Sequence, residues 1–223
     1  MRSPDKKIGM RRLFAVLSAL AAVFCANANA QNVKTLDDYQ SLNFYGIDFA
    51  LTQVVGAEET PGAFIDAFYE INQLFLSEAE KYVTPLANRL KKKIDRVDLD
   101  AVIEQIRTID ATELKVNHTA DSLSRDDVLA ELQELEIKRT EGLGLVVMAD
   151  ELNKGTECGS YCYVFFDNMT MDIIDIWPFK GASGGMGLRN YWARSFYRTI
   201  AEINPSSFYQ SAKKIKASVS RKQ

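Results

Sequence analysis

Two apolar runs, 143–149 (LGLVVMA) and 161–166 (YCYVFF), constrain the fold of this chain more than any other feature in it. Each has the length of a buried strand and is too short for a core helix, and the second is rich in aromatic rings that suit a pleated surface. The polar, glycine-containing link between them predicts a long antiparallel hairpin. Asp167, Asn168, Met169 and Thr170 then offer a second reversal, and 171–177 (MDIIDIW) reads as a third strand that Pro178 ends. The sheet is therefore expected to finish as a meander.

The remaining segments supply its cover. Residues 44–55 (FYGIDFALTQVV) read as a first strand or a pair of strand pieces. Thr60 and Pro61 open a helix with proline at its first position, and Phe64, Phe68, Ile71 and Phe75 recur at helical spacing. That helix is expected to reach Val83, with Pro85 breaking or restarting it, and Lys91, Lys92 and Lys93 forming a solvated helix end. Asp98 or Asp100 is placed to cap a short helix through Ile106, and 114–116 is a candidate short strand. Ser124, followed by Asp126 and Asp127, opens a helix towards Leu135. A last helix covers 188–203, with Trp192, Phe196, Ile200 and Ile203 on one stripe and Pro205 beyond its end. The class expected is α/β with α+β character. It is a single domain with a mixed sheet of about four or five strands ending in a meander, and helices packed on it.

The first thirty residues stand outside this pattern. Lys6, Lys7, Arg11 and Arg12 precede an apolar run at 13–26, and Ala28, Asn29 and Ala30 form a small-x-small site. These are the three parts of a secretory signal peptide, and the run falls short of the ~18–20 residues of a membrane span. Cleavage is expected after Ala30. Phe24 occupies the place before Cys25 where lipoprotein processing needs a small residue. The domain then covers 31–205, and 206–223, with Lys213, Lys214, Lys216, Arg221 and Lys222, is a basic solvated tail.

The whole chain carries 27 basic and 30 acidic residues, a formal charge of −3. Removing the leader's five basic residues and one acid leaves 22 against 29, so the mature chain stands at −7. Such a balance does not favour nucleic acid or anionic lipid. The expected location is the periplasm or the exterior, with no membrane span once the leader is gone.

Few residues suggest chemistry. Asp48, Asp150 with Glu151, and Asp167 fall near strand ends, where gathered carboxylates hold a cation or act as an acid/base pair. In the expected hairpin Asp150 and Asp167 lie at opposite ends, roughly 20 Å apart, which leaves Asp167 as a turn-forming acid. Asp48, Asp150 and Glu151 remain as the set for a hydrolase-like or metal-dependent enzyme. The single histidine, His118, provides no zinc site of the usual ligand count, and no cofactor motif occurs.

The loop 181–187 (GASGGMG) precedes a helix, and Gly184, Gly185 and Gly187 with Arg189 are its candidate binding residues. Arg194 and Arg198, one helical turn apart, extend that surface. Cys158 and Cys162 form an even pair in an oxidising compartment and are a candidate disulfide. A bridge requires Gly159 and Ser160 to turn, because four residues of extended strand span about 13 Å.

The run GASGGMGLRNYWARSFYRTI at 181–200, preceded by YVFFDNMTMDIIDI, resembles the carboxy-terminal part of a family of small exported bacterial proteins of unknown function. Those chains end with a hairpin, a third strand, a Gly-rich loop and an Arg-Asn-Tyr-Trp helix. The likeness also takes in the opening Phe-Tyr-Gly-Ile-Asp-Phe at 44–49. At the level of fold, the element order is similar to envelope lipoproteins with a curli-secretion-type α/β domain. Their Asp-x-x-Thr-Gly reversal is matched at Asp167 and Thr170, while Met171 replaces the glycine. These resemblances imply a fold and an envelope location, not an activity.

The leading expectation is an exported, non-catalytic binding or accessory protein of the bacterial cell envelope. It would contact an envelope protein or small ligand through 181–189 and require no cofactor. The alternatives are the carboxylate enzyme and a structural subunit that pairs through an exposed strand.

Overall fold

The computed structural model describes residues 34–118 and 122–204. The expected leader with Cys25, and the tail from Pro205 on, lie outside the described residues. The chain divides after Lys34, and the fold is that of the second unit, which begins at Thr35.

Among the described residues it has seven strands and five α-helices. In chain order they are β1 (Ser41–Asp48), β2 (Gln53–Val55), α1 (Pro61–Ser77), α2 (Ala79–Leu90), β3 (Lys93–Val97), α3 (Asp100–Thr108), β4 (Lys115–Val116), α4 (Arg125–Glu134), β5 (Leu143–Asn153), β6 (Cys158–Asp167), β7 (Ile173–Ala182) and α5 (Leu188–Glu202).

The most apolar run becomes the centre of the sheet. β6 pairs antiparallel with β5 along its whole length. The other edge of β5 is shared by two parallel strands, β1 beside 143–148 and β2 beside 151–153. β3 lies outside β1, β4 outside β2, and β7 outside β6. The fold is thus α/β, with a mixed sheet that closes in the expected meander. The expectation of four or five strands is corrected to seven, although the sheet is five strands wide because two ranks are each shared by two short strands.

The break between β1 and β2 has a local cause. Asp48 stands opposite Met148 and Gln53 opposite Glu151, so four residues, 49–52, face only two. The excess is taken up in a turn in which Thr52 N donates to Phe49 O at 3.1 Å and Ala50 N donates to Asp48 Oδ1 at 3.0 Å. Asp150, on the facing strand, is the extra residue of a bulge against β6.

Helices close both faces. On one face Phe44 of β1 meets Phe75 of α1 at 5.1 Å, and Phe75 meets Phe196 of α5 at 5.3 Å. On the same face Tyr161 and Tyr163 bond the hydroxyls of Ser195 and Thr199, the latter at 2.7 Å. A Cβ on Gly181 would stand 2.0 Å from Ser195 O, so a side chain there would push α5 off β7. The opposite face presents Val146, Met148, Cys162, Val164 and Phe166, and Val128 and Leu132 of α4 belong to the same buried cluster.

Three details differ from the sequence reading. The first helix ends at Ser77, with Glu78 between the two helices, and Pro85 is carried inside α2. The lysine run is no solvated helix end. Lys91 terminates α2 in a left-handed conformation, Lys92 turns inward to donate to Leu36 O and Tyr39 O, and Lys93 opens β3. Pro178 does not end the third strand, because among the described residues β7 has only one neighbour, and an edge strand tolerates a missing donor.

Candidate functional site

The strand-end acids each have a partner, and the partners differ. Asp48 is only 2% exposed, and Glu131 on α4 only 7%. Gln105 Nε2 of α3 donates to Glu131 Oε1 at 2.9 Å. Burial, and then the neighbouring Glu131 carboxylate, push the Asp48 carboxyl up to about 8. Asp150 lies in the bulge of β5, where the Leu123 backbone and the Ser122 hydroxyl just before α4 lower its carboxyl against the effect of burial. Its burial raises it as well, with Glu151 beside it adding to the effect. Glu151 accepts a 3.4 Å bond from Asn153 Nδ2, and its Oε2 is buried with no hydrogen-bond partner among the described residues.

Glu151 therefore bonds within its own strand, while Asp48 and Asp150 are influenced by residues 122–131. Among the described residues, no group of three or more His, Cys, Asp or Glu side chains is arranged to hold a metal ion. Asp167 sits at the far end of β6, opposite Leu143, where its Oδ1 accepts from Met169 N and Thr170 N and its Oδ2 from Tyr39 Oη. It is the acid of its own reversal. His118 is exposed.

The candidate disulfide is corrected. Both thiols are free, and the residues between them pair in a ladder instead of turning: Gly159 faces Leu152 and Gly181, and Ser160 faces Glu151 and Lys180.

The glycine loop is shorter than the sequence suggests, since Gly181 and Ala182 belong to β7. Gly184, Gly185 and Gly187 adopt φ of 147°, 113° and 80°, and Gly187 caps α5. The loop is tied down by Ser183 N to Glu157 O at 2.8 Å, Gly184 N to Tyr191 O at 3.2 Å, and Asn190 Nδ2 to Met186 O at 3.0 Å. At its tip Met186 is 90% exposed.

This held loop separates two clefts. The larger, about 550 Å³, lies against α1, with Glu59, Asp66 and Glu70 on one wall and Met186 and Arg189 on the other. Lys154 pairs with Glu59 at 2.9 Å and holds that carboxyl below its usual value. Arg189 reaches Glu70 at 4.0 Å. The smaller, about 220 Å³, is lined by Lys81, Tyr82, Gly184, Gly185, Arg194 and Tyr197. The Arg194 guanidinium passes so close to Gly184 that a Cβ there would sit 3.4 Å from it. Arg194 and Arg198 are exposed and meet no carboxylate among the described residues. A third groove, about 400 Å³, lies between Tyr69 and Leu76 of α1 and the residues of 96–107. Neither Asp48 nor Asp150 nor Glu151 lines any of the three.

The structure thus groups Gly184, Gly185, Gly187, Arg189 and Arg194 around one loop, with Arg198 a turn further along α5. Lys81, Tyr82 and Glu70 belong to the same surface and carried no mark in the sequence. Glu131 and Gln105 were also missed. The one available sign was a carboxylate within the stripe Val128, Leu132 and Leu135, beside which Glu131 falls. Comparison with protein-family models, with curated proteins and with solved structures gave no match.

Proposed function

We propose that this chain is an exported, non-catalytic binding protein of the bacterial cell envelope, and that its contact surface is the loop 183–187 with the two clefts beside it. One observation carries the reading. Three glycines in left-handed conformations hold an exposed methionine between an acid-lined and a base-lined cleft, on a loop tied at both ends. A tethered loop with an apolar tip binds at low entropic cost, and charges on either side orient what it meets. The smaller cleft pairs cationic groups with two tyrosines, which suits a ligand or protein segment with an acidic group next to an apolar one. The buried position of Asp48, away from the clefts, supports binding rather than catalysis. Export rests on the leader and on the likeness to exported bacterial chains.

Affinity capture from an envelope fraction with the mature chain tests the surface. Met186→Asp and the double change Gly184→Ala with Gly185→Ala are the comparisons. Specific capture by the parent and its loss in both variants is the expected result. Retention of the same partners by both variants overturns the assignment of the loop.

A further inference from the structure

The groove of about 400 Å³ between α1 and α3 is distinct from the surface around the loop 183–187 and has no residue of α5 in its walls. Tyr69 and Leu76 stand in it 46% and 57% exposed, two helical turns apart on α1, with the half-buried Val97 and Ile103 beside them. We propose that the chain's own carboxy-terminal tail docks in this groove as an amphipathic helix, laying Ala212, Ile215 and Val219 against Tyr69 and Leu76.

The period of the tail matches the groove. Phe208, Ala212, Ile215 and Val219 recur at intervals of three or four residues and so share one face of a helix. Lys216 and Lys222 flank that face, and Lys213, Lys214 and Arg221 fall elsewhere on the wheel. A helix of this length is marginal alone in water and is held by a surface that covers its apolar stripe. Ala212 and Val219 are separated by the same seven positions as Tyr69 and Leu76, so both rows are about 10 Å long. Anchors at i, i+3 and i+7 are how an amphipathic helix seats in an apolar groove.

Charge and reach agree with this occupant. Residues 31–205 carry 17 basic and 29 acidic residues, whereas 206–223 carry five basic and none acidic, which draws the tail to its own domain. At the rim of the groove Arg96 holds Asp98 at 2.7 Å and Arg107 pairs with Glu104. Asp100 is exposed there with no basic partner among the described residues, and Lys216, next to Ile215, is placed to meet it. α5 packs on α1 through Phe196 and Phe75 at 5.3 Å. Packed helices stand about 8–10 Å apart, so the far side of α1 is within about 20 Å of α5. The stretch from Asn204 to Ala212 spans up to about 26 Å when extended, which covers that path.

Photo-crosslinking of a protein comprising residues 31–223 tests the docking, with p-benzoylphenylalanine placed at Ser218 beside the stripe. At dilute concentration the expected product lies within one chain, and mass spectrometry should map it to 69–76 or to 97–103. Leu76→Asp and Ile215→Asp should each remove most of this product, because burying one such side chain changes occupancy by about tenfold or more. If Leu76→Asp does not fold, Ile215→Asp, which lies in the tail, makes the same comparison. Products scattered over the surface, or gathered on the acid-lined cleft, overturn the docking. So does an α1 product that survives Ile215→Asp. A product formed only between two chains also overturns it, because the groove then receives the tail of a second copy.

Discussion

Asn72 lies in the middle of α1 with no exposed surface, yet it behaves as a strand neighbour. Its Oδ1 accepts from Ile47 N and its Nδ2 donates to Ile47 O, both at 2.8 Å, with a third bond to Phe68 O. It satisfies the β1 backbone where the β1–β5 register slips between Phe44 and Ile47. Gly46 makes this approach possible. Its φ is 86°, and a Cβ there would stand 2.5 Å from Asn72 Oδ1 and 2.7 Å from Leu99 Cδ2. Gly46→Ala is therefore expected to destabilise the fold by about 2–4 kcal/mol, through both backbone strain and overpacking. A urea titration checks this: the midpoint should fall with the slope unchanged, and an unmoved midpoint refutes the close approach. A glycine inside an apolar strand pattern does announce a bulge or a near neighbour. Which neighbour was not legible, because Asn72 is 25 residues from Ile47 and reads as an ordinary polar position on a helix. Asp48 follows the same rule: its type and place were visible, and its partner Glu131 was not.

At the scale of elements, what periodicity and capping encode locally came through. Pro61 starts α1, and Ser124 caps α4 in a box with Asp127. The hairpin and meander follow from uninterrupted apolar runs. What depends on neighbours did not come through. β3 (KIDRV) has no buried residue, so no apolar pattern marks it, and only pairing with β1 makes it a strand. Pro178 is a breaker in isolation and is harmless on an edge.

The two cysteines belong to this scale, since their fate is that of β6. In an extended strand their Cα atoms stand about 13 Å apart, nearly twice the separation a disulfide permits. A protein comprising residues 31–223 should show two reactive thiols after denaturation, and a reductant should leave its melting temperature unchanged. In the native state Cys162 should react far more slowly than Cys158, because burial pushes its thiol up to about 11. Fewer than two thiols by reagent titration, in protein prepared without reductant, contradicts this.

For the molecule as a whole, the sheet's two edges decide whether it stays alone. On one side stand β3, short and bearing Lys93, Asp95 and Arg96, and β4, two residues long. Neither offers a row that another chain could extend. On the other side β7 is ten residues long and, among the described residues, pairs only with β6. Its length makes it the exposed strand that a self-associating subunit would use, and Pro178 interrupts its row of donors near the middle. With no N–H and with its ring exposed at that rank, Pro178 stops an incoming strand from running a ladder along the edge. Lys180, exposed two residues on, adds a charge that a second copy would have to meet. Pro178→Thr removes the interruption and introduces a β-branched residue suited to a strand. The variant should sediment as a larger species with rising concentration, while the parent keeps one sedimentation coefficient across the same range. If the parent itself associates, and Pro178→Thr does not strengthen the association, then the edge is not guarded in this way and the structural-subunit reading gains what the binding reading loses.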